Sequence, residues 1–179
     1  MLKCCFTGPR PSNFSFKYNE KHQDCLEIKK LLKQQIINTI QDGYEYFTSG
    51  MALGVDTWTA EIVLELKQIY PNIKLECAIP CLNQEKKWIK SSQTRYNRIL
   101  KNADIIHYVS KEPYKPYLMF QRNIYMVLNS NRIIAVYSGA TGGTKHTFDF
   151  ALSKNKEIIQ INPVNKKISY YNLPNQLEF

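Results

Sequence analysis

Histidine is scarce in this chain, three among 179 residues. His146, in the second glycine turn, is weak evidence of a metal by itself, and His22 and His107 say still less. The five cysteines, Cys4, Cys5, Cys25, Cys77 and Cys81, include no Cys-x-x-Cys pair, and Cys77 and Cys81 have no second ligand pair near them. Free buried thiols in a reducing compartment are expected, and no metal. No apolar run approaches the roughly 20 residues that cross a bilayer. The apolar start, Met1 to Phe6, is too short for the core of a signal peptide and is interrupted by Gly8 and Pro9. A cytoplasmic protein without a membrane partner is the expectation. Two nucleotide motifs are missing as well. No Gly-Lys-Ser/Thr closes a Walker loop, and no Gly-x-Gly-x-x-Gly opens a dinucleotide fold.

What is present reads as an ordinary globular composition, 44% hydrophobic and 22% charged, in a length that suits one domain over 1–179. Lysine and arginine outnumber the acids 24 to 15, for a net charge of +9. That balance favours anionic partners: nucleotides, nucleic acid or acidic surfaces. The lysines are scattered over several segments, so the charge permits nucleic-acid binding without favouring it.

Strand-like and helix-like segments alternate along the whole chain. Short apolar runs at Leu2–Phe6, Tyr44–Thr48, Ile73–Ile79, Asp104–Val109, Arg132–Tyr137 and Glu157–Ile161 predict six strands. Helical spacing predicts helices from Ile28 to Gly43, Val55 to Tyr70, Asn83 to Leu100, Tyr117 to Leu128 and Thr144 to Leu152. The tail after Pro163 reads as a loop with a weak terminal segment. Apolar strands without polar alternation, separated by helices, predict an α/β, Rossmann-like doubly wound domain: a mainly parallel sheet covered on both faces. Ligands of such sheets sit beyond the carboxyl ends of the strands. The loops that matter are then Thr7–Pro11, Ser49–Asp56, Pro80–Glu85, Ser110–Tyr117 and Ser138–Thr147.

Ser49-Gly50-Met51-Ala52-Leu53-Gly54-Val55-Asp56 joins a strand to a helix. Unpaired N–H groups and the positive end of a helix dipole suit such a turn to phosphate, and Gly50 and Gly54 are expected to let a ligand approach. Asp56 either caps the helix or accepts hydrogen bonds from a ribose. A second glycine turn, with Gly142, Gly143 and Thr144, precedes the last helix. Thr7, Gly8 and Arg10 add a guanidinium after the first strand, and Asn83 belongs to the loop after the third. Arg122 and Asn123 lie early in a helix, where Arg122 is either a surface residue or a phosphate clamp. The acids near the glycine turns are Asp56, Glu61 and Asp149, any of which is a candidate for the carboxyl group of a glycosidic hydrolase. Tyr114 and Tyr117 are placed to stack on a base, while Trp88, Tyr96 and Tyr125 are expected in the core. The helix containing Tyr117 to Leu128 is apolar almost all round, which suggests a homodimer.

Phe6-Thr-Gly-Pro-Arg-Pro11, Ser49 to Asp56 with Trp58, Ala60 and Glu61, Ile79-Pro-Cys-Leu-Asn-Gln-Glu85 with Trp88, Arg122-Asn-Ile-Tyr-Met126 and Gly142-Gly-Thr144 together resemble the YpsA-like branch of the SLOG superfamily. That superfamily joins the DprA/Smf DNA-processing proteins to the LOG phosphoribohydrolases. The resemblance implies a Rossmann-like fold with a pocket for a nucleotide-derived ligand, built from the loops named above. LOG-type enzymes cleave the N-glycosidic bond of nucleoside monophosphates with Pro-Gly-Gly-x-Gly-Thr-x-x-Glu. Here the stretch runs from Ala140 to Asp149 without the leading proline or the glutamate in register. DprA-like members bind single-stranded DNA, other members sense ADP-ribose-type signals, and the YpsA-like branch is associated with bacterial cell division and with phages. A ligand sensor is therefore expected first, a hydrolase second and a nucleic-acid binder third.

Overall fold

A computed structural model describes residues 1–173. Seven strands form one sheet in the order β4-β3-β2-β1-β5-β6-β7. They are β1 (Leu2–Thr7), β2 (Tyr44–Ser49), β3 (Lys74–Ile79), β4 (Ile105–Tyr108), β5 (Arg132–Val136), β6 (Glu157–Ile161) and β7 (Ile168–Tyr171). All neighbours run parallel except β6 and β7, which are antiparallel. The helices are α1 (Gln23–Gln41), α2 (Val55–Leu66), α3 (Lys90–Asn102), α4 (Pro116–Leu128) and α5 (Gly143–Ser153). The chain moves outward from β1 to β4, then returns through α4 to lay β5 on the other side of β1. The carboxyl ends of β1 and β5 therefore flank the point where strand order reverses, which is where doubly wound sheets open a crevice.

Alternation of side chains along each strand assigns the two faces. Cys4, Phe6, Phe47, Leu75, Ile134 and Val136 pack with residues of α1, α2 and α3, including Ile28, Leu32, Trp58 and Tyr96. Cys5, Ala78, Ile133 and Ala135 face the other way, onto Met126 and Val127 of α4 and Phe148 and Ala151 of α5. Doubly wound architecture is thus met. α1 starts where the His22 ring accepts from the Asp24 N–H, 3.2 Å away, and it stops before Gly43, whose φ of 90° leaves the helical region. Among the described residues no helix is long and apolar enough to cross a membrane.

Three expectations need correction. Strand β7, in the tail read as a loop, adds an antiparallel edge. α3 begins at Lys90 rather than Asn83, because Asn83 takes a left-handed φ of 56° and turns follow it. Gln93 Nε2 then satisfies the carbonyls of Glu85, Lys86 and Trp88. Finally, the sheet is not covered to its edge: Ile105, Ile106 and Tyr108 of β4 are all exposed. The five cysteines are free and buried, and burial pushes the Cys5 and Cys77 thiols up to about 12, where they are poor nucleophiles.

Candidate functional site

The two glycine turns, alike in sequence, are put to different uses. A Cβ on Gly50 would lie 2.8 Å from Asp56 Oδ2 and on top of the Arg122 guanidinium. One on Gly54 would meet Pro9 O and Pro11 Cδ at 2.9 Å each. Gly8 is likewise filled from outside, with Val55 Cγ2 at 2.5 Å from the Cβ position. Protein atoms occupy the space that sequence reasoning offered to a ligand. Two N–H groups of this turn are spoken for as well. Met51 N donates to Ser49 Oγ at 3.2 Å and Ala52 N to Asp56 Oδ2 at 3.2 Å. Ser49 Oγ donates in turn to the Asp56 carbonyl at 2.7 Å, and the buried Met51, at a left-handed φ of 59°, has its carbonyl held by Gln84 Nε2 at 2.7 Å. The helix is preceded by Gly54 in the cap position, so Asp56 closes the loop from inside the first turn.

Gly142 and Gly143 open outward instead. Nothing lies within 4 Å of a Cβ built on either. Gly142 has a φ of 129° and precedes the first residue of α5, whose first N–H groups, those of Gly143, Thr144 and Lys145, have no protein acceptor among the described residues. Thr147 Oγ1, one turn in, donates back to the Gly143 carbonyl at 2.9 Å and steadies the turn.

Between these turns lies a small pit of about 190 Å³, lined by Thr7, Gly8, Arg10, Asn13, Ala52, Asp56, Met119, Arg122, Asn123, Gly143 and Thr144 among others. Its floor is a buried ion pair. Arg122 Nη1 lies 3.3 Å from Asp56 Oδ2 and also donates to the Gly50 carbonyl, while Nε donates to Asn123 Oδ1 at 2.8 Å. Arg122, at 5% exposure, is therefore not the surface residue that was one of its two expected places; it is a buried strut in the lining of the pit. Burial pushes the Asp56 carboxyl above its ordinary value, against the downward pull of Arg122 and Arg10. The same burial lowers Arg122, which stays charged at neutral pH because a guanidinium begins so high.

Two clefts adjoin the pit. One, of about 350 Å³, runs past Pro9, Asn13, Phe14, Tyr137, the 140–144 turn and Pro163. The other, of about 790 Å³, is lined by Arg10, Asn83, Lys86, Lys87, Trp88 and Tyr114 with neighbours. Of the sequence-predicted residues, Thr7, Gly8, Arg10, Asp56, Arg122, Asn123, Gly143 and Thr144 meet at the pit. Gly142 lines the first cleft and Asn83 the second, whereas Ser49, Gly50, Met51 and Gly54 support the scaffold behind. Glu61 and Asp149 lie elsewhere. Glu61 is bound by Arg95 and Arg98 at 2.5 and 2.7 Å, and Asp149 pairs with Lys145 on the open surface of α5. Asn13 and Met119 were missed. Met119 stands one turn before Arg122 on the same face of α4, a spacing that could have found it; Asn13 carries no such signal.

The profile of the YspA SLOG family matches residues 4–167. This chain belongs to the YspA SLOG family. A UPF0398 protein of Halalkalibacterium halodurans is 36% identical over 121 residues, covering 67% of this chain and 64% of that relative. Another, from Brevibacillus brevis, is 34% identical over 145 residues, 80% of this chain and 77% of the relative. The YpsA-like resemblance is borne out. Among solved structures, DNA processing protein A (DprA) from Streptococcus pneumoniae superposes with a TM-score of 0.64 at 15% identity. It covers 90% of this chain and 50% of that one, a likeness of fold.

Proposed function

We propose that this protein binds a nucleotide-derived ligand of the ADP-ribose type as a sensor domain, with a phosphate in the pit and a nucleoside in the cleft beside the 140–144 turn. The observation that carries the reading is the open space at Gly142–Gly143, with Gly143 lining the same pit as Arg10. Helix N–H groups, a helix dipole and a guanidinium converge there on one small volume, an arrangement suited to an oxyanion. At about 190 Å³ the pit is below the roughly 300 Å³ at which small-molecule pockets begin. It suits a phosphate group, and the remainder of the ligand extends into the adjoining cleft. A homodimer is part of the same reading.

Calorimetric titration with AMP, ADP and ADP-ribose tests it. At least one is expected to bind, and Arg10→Ala to weaken that binding roughly ten- to a hundredfold, the weight of a charge-assisted contact. Gly143→Val is expected to weaken it too, with the thermal transition retained. Gly142 is the poorer probe, because its φ of 129° strains any side chain. Folded protein that binds none of the three at millimolar concentration would sink the proposal. A second reading, hydrolysis of an N-glycosidic bond, is favoured by one observation: the pit wall includes Asp56, whose proton burial holds more tightly. Chromatography of the same mixtures decides between the two. Free base released by the wild type and not by Asp56→Asn, with ligand still bound, would make this an enzyme.

A further inference from the structure

The cleft beyond Arg10 is far larger than the pit and differs from it in chemistry. Arg10 and Met119 line both, so the two spaces meet at one guanidinium. Arg10, Lys86 and Lys87 bring three cations to the cleft, with no carboxylate among its described lining residues. These lysines differ from many others in the chain. Lys29, Lys33, Lys67, Lys115, Lys145 and Lys166 are each engaged by a carboxylate, while Lys86 and Lys87 have no such partner among the described residues. Lys17, Lys30 and Lys90 among others lack such a partner too, so what marks Lys86 and Lys87 is that they share one cleft with Arg10.

Planar side chains flank those cations. Trp88 is half-buried and fixed edge-on against Tyr96, ring centroids 5.4 Å apart, so its position costs a ligand little ordering. Tyr114 stands at the rim with 57% of its surface exposed, an exposure that core packing does not explain. Gln84 leaves Oε1 buried without a partner in the cleft wall, while its Nε2 holds the Met51 carbonyl. A ring stacked on tryptophan or tyrosine next to paired ammonium groups is how proteins hold a base beside its phosphate.

We infer that this cleft is a second arm of the site and takes a second phosphate carrying a planar ring, so that the ligand is a dinucleotide rather than a mononucleotide. The inference rests on the phosphate reading of the pit and extends it. Its volume, about 790 Å³, lies within the roughly 300–1,000 Å³ of small-molecule pockets, which fits a bounded half-ligand better than a continuing strand. Two linkages share the required chemistry: a pyrophosphate between two nucleosides, and a phosphodiester in a 5′-phosphorylated dinucleotide.

The test compares AMP, diadenosine diphosphate, the dinucleotide pApA and a long oligothymidylate by calorimetry and by tryptophan fluorescence. Trp58 is buried to 1% exposure, so quenching by ligand reports Trp88. One of the two dinucleotides is expected to bind at least roughly tenfold tighter than AMP and to quench, and which one does so identifies the linkage. In Lys86→Ala/Lys87→Ala protein, and separately in Tyr114→Ala, the ratio of dinucleotide to AMP affinity is expected to collapse toward one. Equal affinity for AMP and both dinucleotides, or a preference that survives both variants, overturns the inference while leaving the pit as a phosphate site. Tighter binding of oligothymidylate than of either dinucleotide overturns it in favour of a nucleic-acid strand. Failure of all four probes overturns this inference, and only the failure of ADP and ADP-ribose as well removes the functional reading with it.

Discussion

Arg122 is where the cost of building the pit concentrates. A guanidinium taken out of water is expensive, and its attraction to Asp56 offsets that only while its other donors are occupied. The Gly50 carbonyl and Asn123 Oδ1 occupy two of them. Gly50 has no side chain because the guanidinium lies where a Cβ would be. Gly50→Ala must therefore push Arg122 off its partners or shift the loop, and it is expected to lower the stability measured in urea by about 2–3 kcal/mol, the range for broken buried networks. Gly143→Ala meets open space at the start of a helix, and its cost should stay within about 0.5 kcal/mol, or turn into a small gain, as alanine outranks glycine there. Equal effects at the two glycines would mean that Arg122 does not occupy this position in solution. The pair also marks the limit of motif reading. Both turns are recognisable in the sequence as glycine loops between strand and helix, but whether the vacated space receives a ligand or an arginine depends on residue 122, 72 positions away.

At the scale of elements, the wall of the pit depends on how the β1–α1 loop is tied down. Glu20 does this. It accepts from Trp58 Nε1 at 2.9 Å, Arg95 Nη1 at 2.6 Å and Lys29 Nζ at 2.5 Å, binding the loop to α1, α2 and α3 together. Burial alone would raise its pKa, but the hydrogen bonds from Arg95, Lys29 and Trp58 outweigh it and hold the carboxyl at about 2. A depressed carboxyl stabilises the fold above its unfolded value of roughly 4.3 and loses that contribution as pH falls toward its folded value. Because the Glu20 side chain keeps 30% of its surface in water, the full linkage is discounted, to about 1 kcal/mol lost between pH 5 and pH 3. Urea titrations at the two pH values should show that loss in the wild type and a smaller one in Glu20→Gln; equal losses would show that the cluster is not formed. None of these partners is legible from spacing, since Glu20 and Arg95 are 75 residues apart. The parallel strands and the helices were legible, because apolar runs and helical periodicity are local. β7 was not: of its four residues, Ile168 and Tyr171 are half-buried and the two between them exposed, too weak a pattern to separate from a loop. The start of α3 was hidden because Asn83 takes its left-handed turn inside a stretch whose residues otherwise suit a helix.

For the molecule as a whole, what stands out is an uncovered edge. β4 is bonded on one side only, to β3, and its Ile105, Ile106 and Tyr108 are exposed. Nearby, α4 buries Leu118, Arg122, Met126 and Val127 and leaves Tyr117, Phe120 and Leu128 exposed. α4 rests on the sheet through the Tyr125 ring, which lies over His107 of β4 at 4.2 Å, while Phe120 meets His146 of α5 edge-on at 5.2 Å. Exposed apolar residues thus stand on both the helix and the edge strand next to it. Solvent-facing residues of this kind, gathered on neighbouring elements, mark association surfaces more often than single exposed side chains do. A second copy would cover both and remove the free edge. Light scattering at micromolar concentration is expected to give twice the 21.0 kDa of the chain, with Phe120→Glu and Leu128→Lys each moving the mass toward a single chain while the circular dichroism is kept. A mass near 21.0 kDa for the wild type would overturn the dimer. The consequence reaches the site, because the helix that would join two copies by Tyr117, Phe120 and Leu128 also sends Met119, Arg122 and Asn123 into the pit. Docking of a partner along α4 and closure of the pit around a ligand then act on one rigid element. Ligand binding is expected to tighten the dimer, and the monomeric Phe120→Glu protein to bind the same ligand more weakly, by the factor that each of the two bound ligands contributes to the dimer constant.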